Sequence, residues 1–477
     1  MGYVRGEAPG QSSMFPPSLE ELVPEEHPVR VIEAYVGSLN LGELGFERAT
    51  PEVTGRPGYD PADLLKLYLY GYLNRVRSSR RLERECQRNI EVMWLLGKLA
   101  PDFKTIADFR RINGQGFVNV CRAFVRFCAQ AELLGGELVA IDGSKFQAVS
   151  ARRRVVSQES LAKENRKLEE RIARYLKSLD EADREERTEP MDRETVLAAL
   201  KKLRERQADN QTAQELLKEL GETQHVIGES DARLMSNGHS QAVAYNVQSA
   251  VDAKHGLIVH HEVTNVGTDS AQLEPTAKAA QQVLGGNDIE VVADAGYSNG
   301  TQFAACEQAG ITPYVPPRRR YLGPAAGEFY TPEHFQYDVQ SDNYRCPAGK
   351  VLMLTSVSNA QRRRIYAASP DDCGDCSQRA RCTKSPRRMV SRHFDEDAFD
   401  RMNKRLSDAP GMMKSRRCLA EHPFADLKCW VMGNGRFLLR GLNGTRAEMA
   451  LAVLARNLKR VMNILGYRPL TERIALA

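Results

Sequence analysis

The chain has 477 residues, 42% apolar and 27% charged, with a formal net charge of +5. That length allows two to four domains and at least one sizeable core. No run approaches the roughly 18 apolar residues of a membrane span, and the opening MGYVRGEAPGQSSMFPPS lacks the apolar centre of a secretory signal, so a cytoplasmic protein without a membrane role is expected.

In chain order, a helix is predicted around HPVRVIEAYVGSL and another from YDPADLLKLYLYGYLNRVRSSRRLEREC. In the latter, Asp60 can cap, Pro61 suits the first helical position and Asp63 the first turn. Arg75, Arg77, Arg80, Arg81 and Arg84 gather at its far end. IEVMWLLGKL and KTIADFRRINGQGFVNVCRAFVRFCAQAELL add further helices. The N-terminal part therefore reads as a helical unit with a basic rim, either a plain bundle or a DNA-binding one. ELVAIDGSKF then reads as a buried strand that stops at Asp142.

Residues 157–225 place Leu161, Leu168, Ile172, Tyr175 and Leu179 at helical steps with Asn165 in register, which predicts a coiled-coil-like hairpin of helices. QAVAYNVQSAVDA and GLIVHHEVTN flank KHG as a β-hairpin. SAQLEPTAKAAQQVLGG follows as a helix, and DIEVVADAGYSNG as a second buried strand leading into Asp294. A helix and the short strand TPYVP come next. RAEMALAVLARNLKRVMNIL predicts a late helix packed on the sheet.

Two strands that deliver carboxylates admit two readings. Asp142 and Gly143 form a common turn pair. Alternatively, two acids brought together repel unless a cation lies between them. Oxygen ligands favour Mg2+ or Mn2+, and a paired-metal site usually calls for a third carboxylate. KSRRCLAEHPFADLKCW offers Glu421, with Arg417 four residues before it and Lys428 seven after, on one helical face. A surface salt-bridge stripe has the same spacing. Cys373 and Cys376 form a C-x2-C pair, joined by Cys382 and Cys346. A structural Zn2+ site, four free thiols and an iron–sulfur cluster all remain open for them. The triplets Arg152, Arg153, Arg154 and Arg318, Arg319, Arg320 suit phosphate backbone as well as a solvated surface.

With AIDGSKF, YNVQSAVD, VVADAGYSN and AEHPFADLKCW in this order, the chain resembles the DDE transposases of bacterial insertion sequences. YDPADLLKLYLYGYLNRVRSSRRLEREC resembles their helical N-terminal domain. The resemblance implies an α/β fold with a ribonuclease-H-like mixed-sheet catalytic core. Residues 1–135 would be the helical DNA-binding domain. Residues 136–156 and 226–317 would form the core, and residues 157–225 a helical insertion. Residues 318–405 would be a basic Cys-cluster insertion, and residues 406–477 would carry the third acid. By the same resemblance, Asp142, Asp294 and Glu421 hold two Mg2+ or Mn2+ ions and cut double-stranded DNA at the element's terminal inverted repeats. The freed 3′-hydroxyl then attacks target DNA, and Arg417 and Lys428 hold phosphates. Arg75, Arg77, Arg80, Arg81 and the Arg triplets are further DNA-binding candidates, and a homodimer on DNA is implied. The family's Arg-x3-Glu-x6-Lys signature, matched here by Arg417, Glu421 and Lys428, usually has a Tyr three residues before its Arg, and that position is Lys414 here. The alternatives are a DNA-binding repressor whose catalysis has lapsed and a standalone metal-dependent nuclease.

Overall fold

The computed structural model describes residues 14, 17–51, 57–184, 193–219, 221–237, 240–286, 288–318 and 329–476. In the N-terminal unit, the Asp60 carboxylate accepts the Ala62 amide at 2.8 Å and Pro61 opens the helix Pro61–Leu73. That helix stops thirteen residues short of Cys86, where the expected one ended. Arg75 takes a left-handed φ of 61°, and the Val76 amide turns back to the Gly71 carbonyl at 2.7 Å. A second helix, Ser79–Arg88, then starts in a new direction. Helices Phe103–Ile112 and Gly114–Gln130 complete a core lined by Tyr68, Phe109, Phe117 and Phe124.

The central sheet contains β1 (Leu138–Gln147), β2 (Arg233–Asn237), β3 (Ser240–Asp252), β4 (Ile258–Thr264), β5 (Ile289–Val292) and β6 (Ile311–Tyr314). β3, β1, β5 and β6 lie side by side, and β2 and β4 share the outer edge of β3. β3 runs antiparallel to β1, whereas β5 and β6 run parallel to it. β1 does not stop at Asp142. It continues to Gln147, with Asp142 opposite Ser249 and Gly143 opposite Gln248. Its pairing with β5 covers only Leu138 to Ala140, so beyond that point the two strands fork. Residues 139 and 141 point into a layer with helix Leu273–Val283. Ala140 and Phe146, on the opposite pleat, meet Ala420 and Phe424 of helix Met412–Ala425.

The predicted helical hairpin consists of Gln158–Arg184 and Arg193–Glu219, which run antiparallel. Leu161 and Leu168 are buried, and Asn165 accepts a hydrogen bond from Asn210 at 3.0 Å. A second, five-stranded antiparallel sheet spans residues 336–393. Helix Gly441–Leu465 is buried on nearly every side between the N-terminal helices and β4, and does not lie simply against the sheet as predicted. Its Glu448 meets Arg77 at 2.8 Å, and its Asn457 bonds both the amide and the carbonyl of Ile258. No described helix is long and apolar enough to cross a membrane.

Candidate active site

Asp142 lies where β1 and β5 diverge, and Asp294 two residues past the end of β5. Each acid uses its Oδ1 locally: Gly143 N donates to Asp142 at 2.9 Å, and Gly296 N donates to Asp294 at 2.8 Å. Each turns its Oδ2 to one cation. Arg416 Nη2 lies 3.3 Å from Asp142 Oδ2 and 3.9 Å from Asp294 Oδ2. Burial pushes the Asp142 carboxyl up to about 6, with Asp294 and Asp269 adding to the rise while Arg416 and the Gly143 amide oppose it. The two carboxylates thus share one guanidinium.

Glu421 is not part of this arrangement. It is exposed, as is Arg417. The helix presents Arg416 and the fully buried Ala420 instead. Among the described residues no three His, Cys, Asp or Glu side chains form a ready metal-binding group. Lys428 does reach the acid side of β1, where its Nζ donates to Ser144 Oγ at 2.7 Å. Burial lowers its pKa. The expectation that Arg417, Glu421 and Lys428 share a face therefore fails in this structure. Between Glu421 and Lys428 the helix passes into a π-turn at Asp426–Val431, which breaks the 3.6-residue phase on which that expectation rested.

Behind β1 lies a polar cluster that sequence reasoning missed. A Cβ on Gly143 would meet Gln248 Nε2 at 2.5 Å, Asp269 Oδ1 at 2.6 Å and the Tyr297 hydroxyl at 3.0 Å. Asn246 and Gln248 each donate to Asp269 Oδ1 at 2.7 Å, Lys145 reaches it at 3.3 Å, and the Tyr297 hydroxyl donates to Gln248. This network ties the strand under Asp142 to the turn that follows Asp294. Gly143 is glycine because those groups fill its side-chain space, and no turn is involved. Alternation along NVQ hints at Asn246 and Gln248 sharing a face, but nothing in the sequence marks Asp269.

Residues 17–111 match the family model described as Transposase domain (DUF772), and residues 223–458 match Transposase DDE domain. The chain belongs to the DDE transposases. It is accordingly an enzyme of DNA strand cleavage and transfer, in a family that generally uses divalent metals such as Mg2+. The DDE match includes Asp294, Glu421 and Lys428, while Asp142 precedes it. No curated protein matches the chain significantly. One solved structure, the cryo-EM piggyBac transposase synaptic complex with hairpin DNA, aligns over 94% of this chain and 78% of its own at 9% identity. Its TM-score of 0.33 is too low to add to the assignment.

In this transposase the other singled-out residues are scattered. Arg77 is turned inward, its guanidinium engaged by Glu448 and by the carbonyls of Met432 and Arg436, so it offers nothing to a DNA backbone. Arg75, Arg80 and Arg81 are exposed, with Arg75 over the Trp430 ring and Arg80 over Phe103. Arg152, Arg153 and Arg154 form an exposed turn, and Arg318 is exposed. Arg319 and Arg320 lie outside the described residues. Cys346, Cys373, Cys376 and Cys382, all unpaired, line one cavity of about 20 Å³ in the second sheet. The Lys350 amide faces Cys346 Sγ at 3.3 Å and the Arg388 amide faces Cys373 Sγ at 3.5 Å.

Proposed function

We propose that this transposase cuts DNA at the ends of an insertion sequence and joins the 3′-hydroxyl to target DNA, acting as a homodimer on double-stranded DNA in the cytoplasm. Asp142 and Asp294 are the first two metal-binding acids and Glu421 the third, with Arg417 and Lys428 at the phosphates. The core is read as ribonuclease-H-like, a reading supported by the strand order and by antiparallel β3. The observation that carries the assignment is the convergence of Asp142 Oδ2 and Asp294 Oδ2 on a single positive charge. Divalent Mg2+ or Mn2+ bound there would polarise the scissile phosphate and lower the pKa of water. The chain's own part is to hold the two acids in the fork between strands. Lys428 stands over Ser144 for a nearby phosphate, and the exposed Arg75, Arg80, Arg81, Arg152, Arg153, Arg154 and Arg318 provide backbone contacts.

We propose a structural Zn2+ for Cys346, Cys373, Cys376 and Cys382, which line one cavity but do not form a ready metal-binding group in this structure, so their sulfurs must close on the ion. The cavity is about the size of one small guest, and the two amides directed at sulfur suit thiolate ligands. A lapsed repressor is favoured by one observation, the exposure of Glu421 away from the acids. Purified protein, Mg2+ and DNA bearing the element's own ends separate the readings. Nicking at the 3′ ends that is lost in D142N and D294N supports the transposase. Normal binding with uncut ends in the unmodified protein supports the repressor.

A further inference from the structure

The helix Pro61–Leu73 ends in a conformation that its sequence does not suit. Asn74 caps it, with its amide donating to the Tyr70 carbonyl at 3.0 Å, and Arg75 follows at a φ of 61°. That left-handed position after a helix normally goes to glycine, because a Cβ there is strained. An arginine held in it calls for a reason beyond the turn. Arg75 is exposed, and its guanidinium lies over the ring of Trp430, 5.6 Å from the centroid.

A second cation meets the same ring. Lys459, from helix Gly441–Leu465, places its Nζ 3.5 Å from the Trp430 centroid. Burial and the neighbouring Arg75 both disfavour the ammonium charge, and Asp426 only partly relieves it. Asp426 is itself engaged by Arg456 at 3.3 Å. Among the described residues no carboxylate pairs with Arg75 or Lys459. The indole holds both cations by cation–π contact and leaves their mutual repulsion uncompensated. Trp430 lies in the π-turn Asp426–Val431, two residues after Lys428, whose Nζ reaches Ser144 on the acid side of β1. Arg75 comes from the N-terminal helical unit, so the cation pair joins that unit to the neighbourhood of the acids.

We propose that Arg75 and Lys459, held on Trp430, form a clamp for one backbone phosphate of duplex DNA. Arg75 offers a planar fork and Lys459 a point charge, and Trp430 is the positioning residue that sets their separation. The clamp grips backbone and reads no base. It rests on the reading of double-stranded DNA as the chain's partner, and is independent of how Asp142 and Asp294 are used. It gives the arginine at a glycine position its reason.

The test is binding of a mixed-sequence DNA duplex to the full chain, read by fluorescence anisotropy across a salt series without divalent metal. R75G and K459M should each weaken binding at least about fivefold and lower the slope of log K against log salt by about 1. One phosphate is shared, so the double variant should also lower the slope by about 1. R75G relieves the left-handed strain, so it should melt no earlier than the unmodified protein. K459Q serves if K459M melts early. In a W94F background Trp430 is the remaining indole of two; saturating duplex should shift its emission and inorganic phosphate alone should not. The proposal is overturned if the folded variants bind with unchanged affinity and slope, if the double variant lowers the slope by about 2, or if R75G melts earlier. It is equally overturned if Trp430 emission ignores the duplex or responds as strongly to inorganic phosphate. An unmodified chain that binds no duplex would overturn the DNA reading itself, and the clamp with it.

Discussion

Replacing Asp142 by Asn should stabilise the metal-free transposase while abolishing its chemistry. Burial holds the Asp142 carboxyl at about 6, against an ordinary 3.8. A raised carboxyl pKa means that the folded chain binds the proton more tightly than the unfolded chain. Stability therefore falls as pH rises from about 4 to about 6 and stays low above that. A rise of about 2 pH units at 1.36 kcal/mol each gives a penalty of about 3 kcal/mol for the charged group. The side chain is 16% exposed, so solvent screening removes little of it. Asn cannot ionise. In metal-free buffer, the melting temperature of D142N minus that of the unmodified protein should grow between pH 4 and pH 7, then level off. Using the change in this difference cancels any fixed packing effect of the amide. Mg2+ should shrink the difference at pH 8, because only the carboxylate gains from the metal. A difference that stays flat or falls with pH would refute the account of Asp142 as a buried acid waiting for a cation.

Gly143→Ala should cost about 1–3 kcal/mol through overpacking, because the new methyl meets Gln248 and Asp269, and it should weaken Mn2+ binding; an unchanged melt would remove the tight packing behind β1. Glu448→Ala should cost about 3–5 kcal/mol, since it strands the buried Arg77 and the amides of Leu438 and Leu439, and the double variant with Arg77→Ala should be less damaging than the sum of the two, read by thermal melting. Elemental analysis should find about one zinc per chain, lost in the double variant C373S/C376S with faster proteolysis within residues 329–405; a protein that retains no metal would leave four free thiols.

Much of the architecture was legible because local chemistry and tertiary packing agree. Asp60 and Pro61 open a helix as their residue types predict, and the alternation around KHG gives the hairpin of β3 and β4. Asn165 in a leucine seam finds Asn210 across the helical pair. The failures occur where partners distant in sequence decide. β1 runs through Asp142 and Gly143 because β3 continues beside it, and a pair that reads as a turn says nothing about that neighbour. Arg77 looked like one of several rim arginines, yet Glu448, 371 residues away, draws it inward. Asp269 sits in a loop with ordinary turn composition, and only the folded sheet places it beside Gly143, behind Asp142.

The most instructive miss is one of phase. A spacing of seven between Glu421 and Lys428 puts both on one face only if every intervening step is an α-helical step. Here Lys428 reaches Ser144 while Glu421 faces solvent, because one surplus residue is taken up in the π-turn. Pro423, the visible irregularity, does not itself end the helix, which runs on through it to Ala425. It does leave a carbonyl unserved just before the turn, so the sequence shows where helical order is weakest but not which register is chosen.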